Sequence, residues 1–327
     1  MTSDGYGAMA AYDEVSGPKI ALLHATRTRP SVVADQRSAP VLPLVLGAKL
    51  AQVRRIVAAF GGVLVAYSGG VDSTLLAFIA HEQLGDRALA CMAASPSIDD
   101  EELAAAVALA GYLGIRHRVV RTQEVEREDY ARNTVDRCYV CRLSVFGRLL
   151  AVAREEGLQS LVYGANLDDG ADFRPGQQAA AELGARAPLA EAELTKADVR
   201  ALARGFGLPN ADKPAAPCLS SRIAYGQRVT LEKLRQVGAA ERALRRLGFT
   251  DVRVRHHGTV ARIEVSSEEL ERMVEPASRL AILRAFDPLG FSYVALDLLG
   301  FRSGSLNEVL AGPGKLAGRD VLADSRE

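Results

Sequence analysis

Short apolar runs bounded by glycine or charge alternate, over the first two thirds of the chain, with longer stretches whose apolar positions recur every three or four residues. The first such stretch opens at Leu44 and sets Leu46, Leu50, Val53 and Ile56 or Val57 on one stripe, the spacing of a helix with one buried face. Gly62-Val63-Leu64-Val65-Ala66-Tyr67 follows, a continuous apolar run expected for a strand covered on both faces of a parallel sheet. Thr74–Ala80 opens a second helix, Ala88–Met92 reads as a strand, and Asp99–Tyr112 as a helix capped by Ser97 or Asp99 with acids in its first turn. A strand at Arg118–Val120, a helix at Arg142–Glu156 and a strand at Ser160–Tyr163 continue the series. Strands alternating with helices imply right-handed crossovers and an α/β fold with a doubly wound parallel sheet. In such sheets ligands bind beyond the carboxyl ends of the strands.

After a helix at Thr195–Phe206, started by Thr195 with Asp198 at its third position, the texture changes. Residues 208–226 hold three prolines, two serines and one cysteine and read as a long ordered loop. Beyond it the pattern predicts a helix at Leu231–Leu247, strands at Val252–Arg255 and Ala261–Val265, a helix after Ser266 and a strand at Phe291–Leu296. The expected organisation is a loosely ordered extension over 1–43 and a first domain over 44–207. A cysteine-bearing loop spans 208–227, a smaller α+β substrate or oligomerisation domain 228–300, and a tail 301–327.

Composition adds mainly exclusions. Among 327 residues, 48% hydrophobic and 24% charged is ordinary for a globular enzyme. Lys+Arg and Asp+Glu both number 40, so no global field draws in nucleic acid or an anionic membrane, and charge-driven recognition must be local. No apolar run reaches the roughly 18 residues of a membrane span. The start carries Asp4, Asp13 and Glu14 and lacks a basic-then-apolar leader, which makes the cytoplasm the expected compartment. Four cysteines are too few for a disulfide scaffold, but their spacing is uneven: Cys91 alone, Cys138 and Cys141 as a C-x-x-C, then Cys218.

The first candidate site is Ser68-Gly69-Gly70-Val71-Asp72-Ser73, between the first strand and its helix. Two glycines allow a tight turn and let amides approach a phosphate with no Cβ in the way. The helix start supplies unpaired N–H groups and a positive dipole end. Ser68 and Ser73 add hydroxyls, and Asp72 either holds Mg2+ or orients the loop. No Walker A pattern occurs. The hexapeptide resembles the PP-loop of the N-type ATP pyrophosphatases, which include GMP synthetase, NAD synthetase, argininosuccinate synthetase and several tRNA-thiolating enzymes. That resemblance implies cleavage of ATP between its α and β phosphates, AMP passing to an oxygen of the substrate before a nitrogen or sulfur nucleophile displaces it.

Two further motifs narrow the resemblance. Gly164-Ala165-Asn166-Leu167-Asp168-Asp169, followed by Asp172-Phe173-Arg174-Pro175-Gly176, sits at another strand end; it is either an acidic solvated loop or a set of oxygen ligands for Mg2+. Pro217-Cys218-Leu219-Ser220-Ser221-Arg222 puts a thiol beside anion-binding groups, though a structural loop cysteine has the same appearance. In this order and spacing the three motifs resemble the LarE family of ATP-dependent sulfur transferases, over about residues 45–300. The resemblance implies a role in making the nickel-pincer nucleotide cofactor. A small nucleotide, pyridinium-3,5-dicarboxylate mononucleotide or its half-thiolated form, would be adenylated on a ring carboxylate, and sulfur would displace AMP to leave a thiocarboxylate.

Two sulfur sources occur in that family: a sacrificed cysteine at the position of Cys218, which ends as dehydroalanine, or a three-cysteine 4Fe-4S cluster carrying an extra sulfide. Cys138, Cys141 and Cys218 supply three thiols, which leave one iron of a cubane without a protein ligand. Cys138 and Cys141 fall at a helix start flanked by Arg137 and Arg142, a setting expected to lower thiol pKa values. A redox pair and half of a zinc site are the alternatives for the C-x-x-C, while Cys91, mid-strand, reads as a buried apolar residue.

Between Arg242 and Arg262 lie six arginines against one acid, Asp251. Period 2 puts Arg253 and Arg255 on one face, and Glu264 on the next strand can brace one of them. The family resemblance gathers Ser221, Arg222, Glu241, Arg253 and Arg255 around the substrate phosphate; a solvated sheet face or a subunit contact is the alternative. His256 and His257 read as turn residues. A PP-loop tRNA thiolase remains a rival, although nucleic acid is not the expected partner, and the resemblance implies a homo-oligomer with no membrane association.

Overall fold

The computed structural model describes residues 43–171 and 175–302. The expected N-terminal extension, the Asp172-Phe173-Arg174 part of the second motif and almost all of the expected tail lie outside the described residues. The first half runs α1 (Leu44–Ala59), β1 (Val63–Ala66), α2 (Val71–Leu84), β2 (Ala88–Ala94), α3 (Asp100–Tyr112), β3 (His117–Arg121), α4 (Glu128–Ala131), α5 (Arg137–Glu155), β4 (Ser160–Tyr163), α6 (Pro175–Glu182), α7 (Pro188–Glu191) and α8 (Lys196–Gly205). A second part follows as α9 (Leu231–Arg246), β5 (Arg253–His257), β6 (Val260–Glu264), α10 (Leu270–Val274), α11 (Pro276–Phe286) and β7 (Tyr293–Leu296).

The first four strands form one parallel sheet in the order β3-β2-β1-β4. Its two faces are both covered, as the continuous apolar strands demand. Val63 and Val65 of β1 and Ala88, Ala90 and Met92 of β2 pack with α1, α2 and α8. Leu64, Leu89 and Cys91, one residue out of phase, point to the other face and meet Phe146, Leu149 and Val152 of α5. The sheet is therefore doubly wound. Burial pushes the Cys91 thiol up to about 12, so it is an inert core residue.

The smaller sheet has the order β5-β6-β7, with β5 and β6 antiparallel and β6 and β7 parallel. Its own core joins Leu244 of α9, Val252, Val254, Ile263 and Phe286. A clasp of ion pairs ties α3 to the second part: Asp99 to Arg242 at 2.7 Å, Glu102 to Lys213 at 2.6 Å and Glu101 to Arg246 at 3.7 Å.

Local signals hold where side chains close on their own backbone. Asp99, not Ser97, caps α3, accepting from the Glu101 amide at 2.9 Å. Thr195 and Asp198 form a reciprocal capping box at α8. Four expectations shift. The helix expected from Arg142 begins five residues earlier, at Arg137, and takes in both cysteines of the C-x-x-C. The helix after Ser266 breaks into α10 and α11 at Glu275, where Pro276 opens the second piece. The short helices α4, α6 and α7 have too few residues to show a period. His256 and His257 are strand residues, paired with Ala261 and Val260, and the turn is Gly258-Thr259.

Candidate active site

Four loops converge at the carboxyl edge of the parallel sheet: residues 67–70 after β1, 95–99 after β2, 122–127 after β3 and 164–169 after β4. The α2 N-terminus lies in the first of them. Gly70 is its N-cap in an extended conformation, so the amides of Val71, Asp72 and Ser73 form a first turn with no carbonyl one turn behind. The Ser73 hydroxyl holds the loop: it donates to Gly70 O at 3.1 Å, accepts from the Ser68 amide at 3.2 Å and lies 3.1 Å from Ser68 Oγ. Gly69 has φ +74°, and a Cβ there would fall 2.5 Å from the Cβ of Ala106 on α3. Backbone sign and packing thus both require glycine. A Cβ at Gly164 would fall 2.7 Å from the Ser73 amide, so the second motif is pressed against the start of α2.

Asp72 joins the two loops. Its Oδ1 accepts from Asn166 Nδ2 at 3.0 Å, and its Oδ2 is ion-paired with Lys196 Nζ. Asn166 Oδ1 in turn accepts from the Asp168 amide at 3.0 Å, Asp169 accepts from the Asn166 amide at 3.0 Å, and Asp168 accepts from the Lys196 amide at 2.8 Å. Lys196 and Asn210, whose Nδ2 donates to Gly69 O and Thr74 Oγ1 at 3.0 Å each, were not among the expected site residues. Lys196 opens an ordinary capped helix and Asn210 sits in a proline-flanked loop, so neither carries a sequence signal of its own.

The three downstream cysteines belong to one electrostatic neighbourhood. Cys138 and Cys141 stand in the opening turns of α5, and Cys218 caps the short turn Leu219–Arg222. Cys138 is exposed, and Cys141 and Cys218 are half-buried. The Cys141 thiol is pushed up by burial first, then by Cys218, Glu124 and Cys138. For Cys141, burial and like charge outweigh the helix start and Arg142, against the lowered pKa expected there. Burial works against the charge of Arg137, yet Cys218 and Cys138, with Tyr130 and Tyr225, outweigh it and raise its pKa. Arg137 is thus a buried cation coupled electrostatically to Cys218 and Cys138. Among the described residues, no three His, Cys, Asp or Glu side chains are grouped closely enough to hold a metal ion.

The cysteine turn is pinned from several sides. Arg137 Nη1 donates to Ser220 O at 2.9 Å and to Asn133 Oδ1. Asn133 Nδ2 donates to the carbonyls of Ile223, Ala224 and Gln227 at 3.1, 2.8 and 3.0 Å. Tyr130 Oη lies 2.6 Å from Ser220 Oγ, and the Leu219 amide donates to Ser97 O at 2.7 Å. That last bond links the turn to the carboxyl edge of the sheet.

Two arginines, Arg222 of the cysteine turn and Arg255 of β5, are held by buried carboxylates. Arg222 donates from Nε and Nη2 to both oxygens of Glu241 at 2.8 and 3.1 Å, and Arg255 does the same to Glu264 at 3.0 and 2.8 Å. Both forks are buried. Arg255 Nη1 donates to Ser221 O at 2.9 Å and Arg222 Nη1 to Ser221 Oγ at 2.9 Å, which brings Ser221 into the group. Arg253 differs: among the described residues it donates to the carbonyls of Val252 and Ala215 alone, and it stacks on Phe301 at 4.9 Å. Burial, then Arg222, lowers its pKa. A guanidinium held among others without a carboxylate of its own is a ready partner for an anion.

The family model described as asparagine synthase matches residues 50–147, from α1 through the phosphate turn into α5. An uncharacterised protein of Synechocystis sp. is 46% identical over 265 residues, 81% of this chain and 99% of its own length. The pyridinium-3,5-bisthiocarboxylic acid mononucleotide synthase of Lactiplantibacillus plantarum is 41% identical over 249 residues, 76% of this chain and 90% of the synthase. A tRNA-specific 2-thiouridylase of Rickettsia peacockii is 32% identical over 190 residues but spans only 46% of this chain and 52% of that enzyme. Nine tenths of the synthase aligned at 41% identity, together with the phosphate turn between β1 and α2, place this chain in the LarE family of PP-loop enzymes.

Proposed function

We propose that this chain adenylates a carboxylate of a pyridinium-3,5-dicarboxylate mononucleotide with ATP and replaces the AMP by sulfur, giving the thiocarboxylate on the way to the nickel-pincer nucleotide. The observation that supports the reading is the junction at the sheet edge: the phosphate turn follows β1, and the cysteine turn is bonded to Ser97, in the loop after the neighbouring β2. The amides of Val71, Asp72 and Ser73 and the Ser68 and Ser73 hydroxyls face the phosphates, where the helix dipole favours negative charge. Asp72, Asn166, Asp168 and Asp169 offer oxygen donors of the kind that would hold Mg2+, whose charge would stabilise the leaving pyrophosphate. Arg253, with Ser221 and the forks Arg222–Glu241 and Arg255–Glu264, receives the substrate phosphate.

Cys138, Cys141 and Cys218 are a thiol set suited to a 4Fe-4S cluster, with Arg137 offsetting its charge. Such a cluster, when bound, offers one iron without a protein ligand for an exogenous sulfide. The chain's own part is to hold the Cys218 turn through Asn133, Arg137 and Tyr130 so that sulfur meets the adenylate in a fixed place. We place the enzyme in the cytoplasm as a homo-oligomer; no helix among the described residues is long and apolar enough to cross a membrane. The tRNA-thiolase reading is weaker, because Arg222 and Arg255 turn inward onto the buried Glu241 and Glu264 and so add nothing to an open basic face.

Anaerobic purification of the wild type and of Cys138→Ser, Cys141→Ser and Cys218→Ser, with iron and acid-labile sulfide assays, tests the sulfur site. About four irons per chain in the wild type, lost in each variant while substrate-dependent ATP–pyrophosphate exchange persists, is the expected result. Iron-free protein that still thiolates its substrate and leaves dehydroalanine at position 218 would overturn the cluster.

A further inference from the structure

Every acid on the phosphate side of the cleft is already engaged by a donor from the chain itself. Asp169 takes the Asn166 amide, Asp168 takes the Lys196 amide, and Asp72 takes Asn166 on one oxygen and the Lys196 ammonium on the other. Asp72 is the second residue of α2, within the phosphate turn, and is the member most closely tied to where the nucleotide must sit. Lys196 is the first residue of α8, and the Thr195–Asp198 capping box together with the Asp168–amide bond fixes its backbone. Among the described residues its side chain is tied at the ammonium alone, and about a third of it remains open to solvent. A fixed backbone and a flexible, part-exposed stem would let one cation take two positions: on Asp72, or on an anion that enters beside Asp72.

We propose that Lys196 is a nucleotide-binding residue that exchanges partners: it neutralises Asp72 while the cleft is empty and moves onto the phosphates when ATP arrives with its divalent cation. The proposal rests on the ATP reading given above. A carboxylate at the start of a helix is stabilised by the dipole, but one aimed at a phosphate site repels the incoming anion unless a cation covers it. Lys196 supplies that cover. A divalent cation competes for the same Asp72 oxygen more strongly than an ammonium does, and it carries the nucleotide with it. The displaced ammonium is then left beside a polyanion, where a flexible point charge suits a phosphate oxygen. No bond is made or broken in the exchange; one ion pair is traded for a metal–carboxylate contact and an ammonium–phosphate contact. Lys196 thereby sets two quantities in opposite directions: it weakens metal binding to the empty cleft and strengthens binding of the nucleotide.

Lys196→Gln and Lys196→Arg of the full chain separate these effects. The first measurement is Mn2+ binding without nucleotide, read from the loss of the free-ion electron paramagnetic resonance signal; the second is ATP binding with Mg2+ by calorimetry. In Lys196→Gln, Mn2+ is expected to bind about tenfold more tightly and ATP at least tenfold more weakly, the size of one lost charge-assisted contact. Lys196→Arg is expected to keep most of the ATP affinity. Unchanged Mn2+ affinity in Lys196→Gln overturns the cover, and unchanged ATP affinity overturns the phosphate contact. A wild type that binds no ATP with Mg2+ would instead defeat the reading of the phosphate turn. Matching thermal unfolding of variant and wild type guards against a folding defect.

Discussion

Gly69 meets Ala106 at a spot where only a hydrogen fits. Gly69→Ala adds a Cβ 2.5 Å from that of Ala106 and forces a non-glycine residue to φ +74°. The expected loss is about 1–3 kcal/mol of stability in urea unfolding, with weaker ATP binding. The double variant Gly69→Ala/Ala106→Gly is expected to recover the steric part but not the backbone part, and a strictly additive cycle would mean that the two sites do not touch. This glycine was legible from the chain, because a glycine pair between a buried strand and a helix start has few other reasons to exist. The lysine on Asp72 was not, because a cation 124 positions away enters the site only through the folding of the sheet. Residue-scale chemistry is readable when its cause is local and silent when its partner is distant.

Along α5 the same distinction decides where a helix begins. Asp136, its N-cap, makes no side-chain cap bond, so the usual local signature is missing and the pattern of apolar positions shows only from Arg142 onward. What fixes the first turn is tertiary: Arg137 bonds to Asn133 and Ser220, and Asn133, at φ 55°, bonds three carbonyls of the following loop. Asn133→Ala strips the amide from those carbonyls and is expected to destabilise the protein by about 1–3 kcal/mol. Hydrogen exchange should rise over 217–227 in this variant, sulfur transfer should fall, and ATP–pyrophosphate exchange should persist. Unchanged protection of that loop would show that other contacts suffice. Strand positions, in contrast, were legible nearly to the residue for β1 and β4, whose apolar runs are buried on both faces.

At the scale of the whole molecule, the alternation of strands and helices foretold the doubly wound sheet, and the loop motifs fall where expected, at its strand ends. How the second part sits against the first came from neither; it depends on Asp99 and Glu101 meeting Arg242 and Arg246 of α9, and on Val125 and Tyr130 packing with Leu234 and Val237. The bracing of the arginines was half readable, since Glu264 lies on the strand after Arg255 but Glu241, which holds Arg222, lies on another element. Together these contacts put an ATP-activating turn and a thiol-bearing turn at one sheet edge, the geometry required for activating a carboxylate and thiolating it without release. The most direct measurement of that claim is product analysis by mass spectrometry after anaerobic incubation of the full chain with pyridinium-3,5-dicarboxylate mononucleotide, ATP, Mg2+ and sulfide. The expected result is thiocarboxylate product with AMP and pyrophosphate in equal amounts, each dependent on the mononucleotide. Formation of ADP and phosphate, or AMP formed with no sulfur entering the mononucleotide, would contradict it.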